Sequence, residues 1–301
     1  INGGDTMKLF RGSGVALITP FVKGEINLPL FIKLIEWHIK KETDALIISG
    51  TTGESATLSK EEKLLIFETA VQISGGKIPI IANTGTNNTK ESIELSIEAE
   101  ALGVDGLLLV TPYYNKPTQR GMIAHFKAIA EKVLIPIILY NVPSRTGVNL
   151  EASSVIELSN IPNIVGVKEA SGDLTQVRAI VEGTHKEFAV YSGNDDLIFE
   201  TMQQGGDGVI SVVANITPFE THQICVEFDS HKENARLIQE RLDILNNVLF
   251  CESNPVPVKE ALTILGVDAS EVRLPLTSLL KENKQLLKEA LDTYGLREIK
   301  L

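Results

Sequence analysis

The feature that most constrains the fold is a short apolar segment that recurs along the chain. Eight such segments begin at intervals of about 20 to 34 residues, each rich in Val, Ile and Leu and each followed by small or polar residues. They lack polar alternation, which indicates strands buried on both faces, as in a parallel sheet. The segments are GVALITP around Val15, ALIISG from Ala45, PIIANTG from Pro79, GLLLVTP from Gly106, PIILYNVP from Pro136, IVGVKEAS from Ile164, FAVYSGND from Phe188 and GVISVVAN from Gly208.

Segments of helical length and amphipathic pattern separate the apolar runs. Capping boxes are predicted where Ser59 precedes Glu62 and where Asn88 precedes Glu91. Eight strand–helix units at this spacing predict an α/β fold, a closed (β/α)8 TIM barrel. An open doubly wound sheet is the alternative, but TPFVKGE after the first run lacks the glycine-rich turn usual there. Other helices are predicted over residues 28–41, 118–132, 152–159, 174–182 and 197–204.

The C-terminal part of the chain has a different pattern. Residues 218–301 show helical periodicity without strands, and NPVPVKEAL and VRLPLTSLL mark helix entries. We therefore predict one domain, with a barrel over residues 7–217 and a C-terminal helical extension packed on it over residues 218–301. Residues 1–6 precede Met7 and are interpreted as a cloning remnant, outside the fold prediction.

Charge and cysteine usage limit the partners and the compartment. The net charge is −11 and the charges are scattered, which argues against nucleic acid or an anionic membrane as a partner. No apolar run reaches the ~18 residues that a membrane span needs. Cys225 and Cys251 have no close spacing, so a reducing cytoplasm is the expected location.

The histidines give no sign of a metal site. All five are dispersed, none follows an apolar run, and no HExxH pattern occurs. We expect neither a metal nor another cofactor. His38 and His125 fall in helical patterns and are predicted to lie at the surface or in an interface.

Lys168 ends an apolar run, where a charged amine is unusual. Lysine is rarely buried unless it is paired or used, and Glu169 is poorly placed to pair with it because adjacent strand residues face opposite sides. Active sites of such barrels lie at the C-terminal strand ends. An ammonium that loses its hydration gives up its proton more easily, and the free amine can attack a carbonyl. Lys168 is therefore a candidate Schiff-base nucleophile, with a structural ion pair as the alternative.

Other side chains at the strand ends fit the same chemistry. Tyr140 could shuttle protons at the barrel mouth, or fill the core as an aromatic plug. Thr51 and Thr52 could bind a carboxylate or simply form a turn. Arg145 follows a strand in VPSRTG and could clamp a carboxylate with two parallel hydrogen bonds, although a loop arginine is usually solvated.

Five motifs in order and in spacing resemble the dihydrodipicolinate synthase family of pyruvate-dependent class I aldolases. The likeness extends from about Lys8 to the C-terminus. It implies the condensation of pyruvate with L-aspartate-4-semialdehyde to 4-hydroxy-tetrahydrodipicolinate, at the start of diaminopimelate and lysine biosynthesis. The motifs are GTTGES from Gly50, TPYYNKPTQ from Thr111, YNVPSRTG from Tyr140, VKEASGD from Val167 and GVISVVAN from Gly208.

The resemblance also implies roles for single residues. Lys168 would form the imine with pyruvate. Tyr140, Thr52 and Tyr114 would form a proton relay, with Tyr114 reaching in from a neighbouring subunit of a homotetramer built as a dimer of dimers. Arg145 would bind the carboxylate of the semialdehyde. The groups implied to hold pyruvate are Thr51 and Thr52, with the backbone at Gly193 and Ile210.

Related aldolases are the nearest alternative. N-acetylneuraminate lyase and 2-keto-3-deoxy sugar acid aldolases share the lysine and the GTTGE-like turn, but generally lack an arginine where Arg145 stands. A barrel that has lost catalysis is disfavoured because Lys168, Tyr140 and Thr52 are all present. A phosphate-handling barrel would need a glycine-rich anion site after the last strands, for which SGND and VVAN are thin support.

A regulatory site is implied as well, with one departure from the family pattern. Members inhibited by L-lysine typically have histidines at the positions of Lys60 and Lys63. Two added ammonium groups should repel a cationic inhibitor, by an energy that solvent and salt reduce. Weak or absent feedback is therefore expected. The other matching positions keep the family residues Ser55, Ala56, Asn87, Glu91 and Tyr113.

Overall fold

Eight parallel strands close into a barrel in a computed structural model that describes residues 8–301. The predicted (β/α)8 barrel is confirmed, and each of the eight apolar runs forms one barrel strand. The predicted remnant at residues 1–6 lies outside the described residues. The barrel strands are β1 (Gly12–Ala16), β4 (Ala45–Ile48), β5 (Ile80–Asn83), β6 (Gly106–Val110), β7 (Ile137–Asn141), β8 (Ile164–Glu169), β9 (Ala189–Ser192) and β10 (Gly208–Ser211), and a short hairpin joins β2 (Phe21–Val22) to β3 (Glu25–Ile26).

Helices follow the strands close to the predicted positions, and none within residues 8–301 is both long and apolar enough to cross a membrane. Three short 3₁₀ turns, Ser55–Thr57, Asp195–Leu197 and Val213–Asn215, lie among them. The helices are α1 (Leu28–Lys40), α2 (Lys60–Ser74), α3 (Thr89–Ala101), α4 (Gln119–Ala130), α5 (Pro143–Thr146), α6 (Ala152–Leu158), α7 (Leu174–Gly183), α8 (Ile198–Gln203), α9 (Pro218–Ser230), α10 (Lys232–Val248), α11 (Val256–Ile264) and α12 (Lys281–Tyr294).

The two predicted capping boxes have different outcomes. At α2, the Ser59 hydroxyl accepts from the Glu62 amide, and the Glu62 carboxylate accepts from the Ser59 amide, as predicted. At α3, the Asn88 side chain caps the helix, but the Glu91 carboxylate does not accept from the Asn88 backbone N–H. The capping box predicted at α3 is therefore wrong. The backbone N–H of Asn88 donates instead to the Thr86 hydroxyl at 3.1 Å, and the Glu91 carboxylate accepts from the Asn88 side-chain Nδ2.

Two apolar clusters show how the barrel is filled. One lies between the strands and the surrounding helices, and a separate one fills the barrel interior. At the N-terminal end of the interior, the Phe10 and Tyr191 rings stack with centroids 4.2 Å apart. The Tyr191 hydroxyl donates to the Phe10 carbonyl at 2.6 Å, and burial raises the pKa of this phenol. Two buried aromatic side chains therefore fill the interior at this end.

The histidines predicted at the surface are buried. His38 is 0% exposed and bonds Thr43 Oγ1 through Nδ1, and burial lowers the pKa of His38 to about 3. His125 bonds Thr89 Oγ1 in the same way, and burial lowers its pKa to about 4. The surface or interface prediction for both is wrong, because each imidazole lies on the face of its helix that packs inward.

The chain after β10 forms four helices. Helix α9 lies against β1 and α8, in the ring around the barrel, and α10 to α12 continue from it. The region predicted as an extension therefore begins with a helix that contacts a barrel strand. Helix α11 returns to the C-terminal end of the barrel, where Lys259 meets Glu54 from the turn after β4. This contact links the extension to the mouth of the barrel.

Candidate active site

Lys168 lies inside the barrel near the C-terminal end of β8. The strand register sets it beside Tyr140 of β7 and Tyr191 of β9. Its side chain is buried, and Nζ lies 4.2 Å from the centre of the Tyr140 ring. No ion pair formed within residues 8–301 includes Lys168. The amine is thus held against an aromatic wall and has no carboxylate partner in this part of the chain.

Glu169 faces the opposite side of the strand. Its carboxylate accepts from Asn141 Nδ2 at 3.0 Å, from Gln176 Nε2 at 3.0 Å and from the Ser171 amide at 2.7 Å. These bonds join β7, β8 and α7 outside the barrel. The alternation of side chains along β8 therefore separates the structural carboxylate from the interior amine.

Gly193 makes room for the lysine side chain. A Cβ atom at Gly193 would lie 2.5 Å from the Ala170 Cβ and 3.2 Å from the Lys168 Cε. The Gly193 N–H donates to the Glu169 carbonyl at 2.8 Å, so its remaining backbone group for a substrate is the carbonyl. Ile210, on β10, is fully buried in the interior cluster. Ile210 therefore lies within the barrel, and Gly193, directly after β9, faces the Lys168 side chain.

The turn after β4 carries the two threonines. Its backbone is left-handed at Ser49 (φ 58°) and at Glu54 (φ 54°), which makes the reversal tight. Thr51 is half-buried, whereas Thr52 is 2% exposed and accepts a hydrogen bond at Oγ1 from Asn254 Nδ2 at 2.9 Å. The turn is thus tied to the chain that leads into α11.

Two predicted residues lie at the rim. Arg145 is exposed on α5, and its Nη2 donates to the Asn254 carbonyl at 3.4 Å. Tyr114 is 88% exposed, with a left-handed φ of 73°. The single chain brings Lys168 and Tyr140 together and leaves Tyr114 projecting from the surface.

Comparison with known proteins identifies the family. Residues 9–294 match the family described as the dihydrodipicolinate synthetase family. The chain belongs to this family. A 4-hydroxy-tetrahydrodipicolinate synthase from Thermoanaerobacter sp. (strain X514) is 48% identical over 292 residues, which cover 96% of this chain and 98% of that protein. The family assignment, the barrel and the enzyme class predicted from the sequence are confirmed.

Solved structures agree with this dihydrodipicolinate synthetase assignment. The dihydrodipicolinate synthase from Thermotoga maritima superposes with a TM-score of 0.94 at 42% identity, covering 96% of this chain and 99% of that chain. The corresponding enzyme from Aquifex aeolicus superposes with a TM-score of 0.94 at 44% identity, covering 97% and 100%. The whole barrel and the helices after it therefore share the family's fold.

The residues that the resemblance implies for L-lysine feedback lie around the starts of α2 and α3. Asn87 Nδ2 donates to the Tyr113 carbonyl at 3.0 Å. Lys63 is the partly buried ammonium of the group: burial lowers its pKa, and the nearby Glu91 carboxylate opposes that shift. Ser55 Oγ contacts Ser49 and Asn83, and Ala56 is exposed.

Lys60 is directed away from that group. Its Nζ pairs with Glu98 of α3 at 2.5 Å, and this bond raises the pKa of Lys60. One of the two ammonium groups expected to repel a cation is therefore already paired, and Lys63 is the one that faces Glu91.

Sequence reasoning missed Asn254, Lys259 and the bonding partners of Glu169. The motif NPVPVKEAL contains both Asn254 and Lys259, but its local pattern indicates only a helix start. An asparagine before two prolines and a lysine within an apolar helix are weak local signals. Their contacts with the turn after β4 appear only in three dimensions.

Proposed function

We propose that this chain is a 4-hydroxy-tetrahydrodipicolinate synthase that condenses pyruvate with L-aspartate-4-semialdehyde in the cytoplasm. The observation that carries the proposal is the Lys168 amine, buried against Tyr140 at the C-terminal end of the barrel. A desolvated amine in this position suits a class I aldolase, which binds its keto acid as an imine.

The first half of the reaction is imine formation. The Lys168 amine attacks the keto carbon of pyruvate, and the resulting carbinolamine loses water. That loss needs a proton delivered to the departing hydroxyl, and we assign it to a relay of Tyr140, Thr52 and Tyr114. Removal of a methyl proton then gives the enamine. The closeness of the Tyr140 ring to Nζ supports this assignment.

The second half joins the two substrates. The enamine carbon attacks the aldehyde of the semialdehyde, and the aldehyde oxygen takes up a proton. The amino group of the second substrate then attacks the imine carbon, closes the ring and expels the Lys168 amine. We assign the second substrate's carboxylate to Arg145, which is exposed on α5, and the carboxylate of pyruvate to Thr51 and Thr52.

The direct test is a coupled assay with both substrates. We expect turnover of pyruvate with aspartate semialdehyde, and none of N-acetylneuraminate or of 2-keto-3-deoxy sugar acids. Turnover of a sugar acid together with inactivity towards the semialdehyde would contradict the proposal in favour of the related aldolases.

Arg145 gives a prediction about the second substrate. Arg145→Ala should raise the KM for aspartate semialdehyde about 10- to 100-fold, since a charge-assisted hydrogen bond contributes about 1.5–3 kcal/mol. Imine formation with pyruvate should be unchanged. Arg145→Lys is the control, because it keeps the charge but loses the two-pronged contact. Equal losses with both substrates would show that Arg145 acts on the fold of the mouth instead.

We infer that the active form is a homotetramer built as a dimer of dimers. Tyr114 supports this inference, since an 88% exposed tyrosine held in a left-handed backbone conformation is an unusual surface feature. A second copy that covers this side chain would bring its hydroxyl to the mouth of the neighbouring barrel.

L-Lysine should be a weak inhibitor or none. Lys63 places its own ammonium near Glu91, so a bound lysine would meet a like charge where the family site would offer a carboxylate. We expect steady-state rates to be unchanged by L-lysine at about millimolar concentration. Inhibition at micromolar concentration would contradict this prediction, and Lys63→His should increase the sensitivity if the charge is the cause.

A further inference from the structure

We propose that Asn254 is a positioning residue, which turns the Thr52 hydroxyl so that its proton is donated into the active site. The inference rests on the proposed function, because it needs a keto acid carboxylate at Thr52. Asn254 lies outside the barrel strands, in the segment before α11, and is 6% exposed.

The hydrogen bond between the two side chains sets the direction. Asn254 Nδ2 lies 2.9 Å from Thr52 Oγ1 and donates to it. A hydroxyl has one proton to donate and two lone pairs that accept. When one lone pair takes the amide proton, the hydroxyl proton must point elsewhere. Since Thr52 lies in the turn that follows β4 at the C-terminal face of the barrel, that proton is available to a bound carboxylate.

The backbone around Thr52 is already fixed by other contacts. Thr19 Oγ1 donates to the Gly53 carbonyl at 2.7 Å, and Lys259 Nζ pairs with Glu54 at 2.6 Å. These bonds hold the turn on the C-terminal side of Thr52. Rotation of the hydroxyl is therefore the remaining freedom at this position, and Asn254 is the residue that limits it.

The contact is also well isolated. Asn254 Oδ1 is buried and has no hydrogen-bond partner within residues 8–301, so the bond to Thr52 carries the polar interaction of this side chain. The backbone carbonyl of Asn254 accepts from Arg145 Nη2 at 3.4 Å. A change of the Asn254 side chain should thus affect pyruvate binding at Thr52 and leave Arg145, the residue assigned to the semialdehyde, in place.

The test compares Asn254→Asp and Asn254→Ala by kinetics with both substrates and by borohydride trapping of pyruvate alone. A carboxylate of the same shape can only accept, so the Thr52 proton would turn towards it and the pyruvate KM should rise about tenfold or more. Asn254→Ala leaves the hydroxyl free to rotate and should raise that KM by less. The KM for the semialdehyde should stay within about twofold of wild type in Asn254→Ala.

Two controls separate orientation from packing. In a Thr52→Val background, Asn254→Ala should have no further effect on the pyruvate KM, because the hydroxyl it acts through is gone. Asn246 is a matched site in α10: it is similarly buried, donates only to Asp243 at 3.1 Å, and has an unpartnered Oδ1 among residues 8–301. Asn246→Ala should leave the pyruvate KM unchanged.

The outcomes are distinct. A packing role predicts the reverse order, with the alanine variant worse than the aspartate variant of equal shape, and this order would overturn the inference. An unchanged pyruvate KM in both variants would overturn it too. Failure of the wild-type chain to form a reducible pyruvate adduct would instead show that the proposed function itself is wrong.

Discussion

Lys168→Ala should lower kcat about 10⁴- to 10⁶-fold, the range found when one member of a nucleophilic catalytic unit is removed. Every step from imine formation to release of the product passes through the Lys168 amine, so no other residue can take over its role as the nucleophile. The fold should be unaffected, because Lys168 has no ion-pair partner within residues 8–301 that would be left uncompensated. The measurement is the coupled assay at saturating concentrations of both substrates.

Lys168→Arg provides the control for charge. A guanidinium keeps a cation at the site but does not lose its proton in proteins, so it cannot attack a carbonyl. The arginine variant should be as inactive as the alanine variant, with its circular dichroism spectrum unchanged. More than about a tenth of the wild-type kcat in either variant would contradict a covalent role for Lys168.

Glu54→Gln should destabilise the protein strongly. Glu54 and Lys259 form an ion pair at 2.6 Å whose side chains are 1% and 0% exposed, and Lys259 Nζ also donates to the Thr19 carbonyl at 2.9 Å. Burial lowers the pKa of Lys259, and the Glu54 carboxylate opposes the shift. Removing the carboxylate leaves a buried ammonium without its counter-charge, which costs about 3–5 kcal/mol. For a chain of this length the thermal midpoint should fall by about 5–15 °C.

The double variant Glu54→Gln/Lys259→Met separates the cost of an uncompensated buried charge from the loss of the contact between the turn and α11. Replacing both charges removes the uncompensated ammonium, so the double variant should be more stable than Glu54→Gln alone. Its activity should nevertheless stay below wild type, because the turn that carries Thr52 loses the ion pair to α11 and keeps only the Thr52–Asn254 hydrogen bond to the segment before that helix. A double variant that is less stable than the sum of the two single losses would contradict this account of the pair.

The barrel could be predicted because each strand lies in a run that is mostly apolar and lacks polar alternation. Any closed parallel sheet must bury such runs on both faces, and the spacing leaves room for one helix between neighbours. Finer features, such as helix caps and the burial of single side chains, depend on competing contacts that a local sequence pattern does not reveal. The capping box at Asn88 failed because the Thr86 hydroxyl takes its amide proton, and His38 was misplaced because the helical pattern did not show which neighbour its face would meet.

The candidate site was predictable only where it consists of strand ends. Lys168, Tyr140, Thr51 and Thr52 follow apolar runs, and the parallel order brings such positions to one end of the barrel. Asn254 and Lys259 were missed because their partners Thr52 and Glu54 are 202 and 205 residues away in the chain. No periodicity or motif connects positions at that distance.

The central claim is that the Lys168 amine condenses with pyruvate. The protein should be incubated with pyruvate, reduced with borohydride, digested and analysed by mass spectrometry. We expect one adduct per chain, a carboxyethyl group on the peptide that contains Lys168, and none when pyruvate is omitted. An adduct on a different lysine, or no adduct at all in a chain that turns over both substrates, would contradict the account.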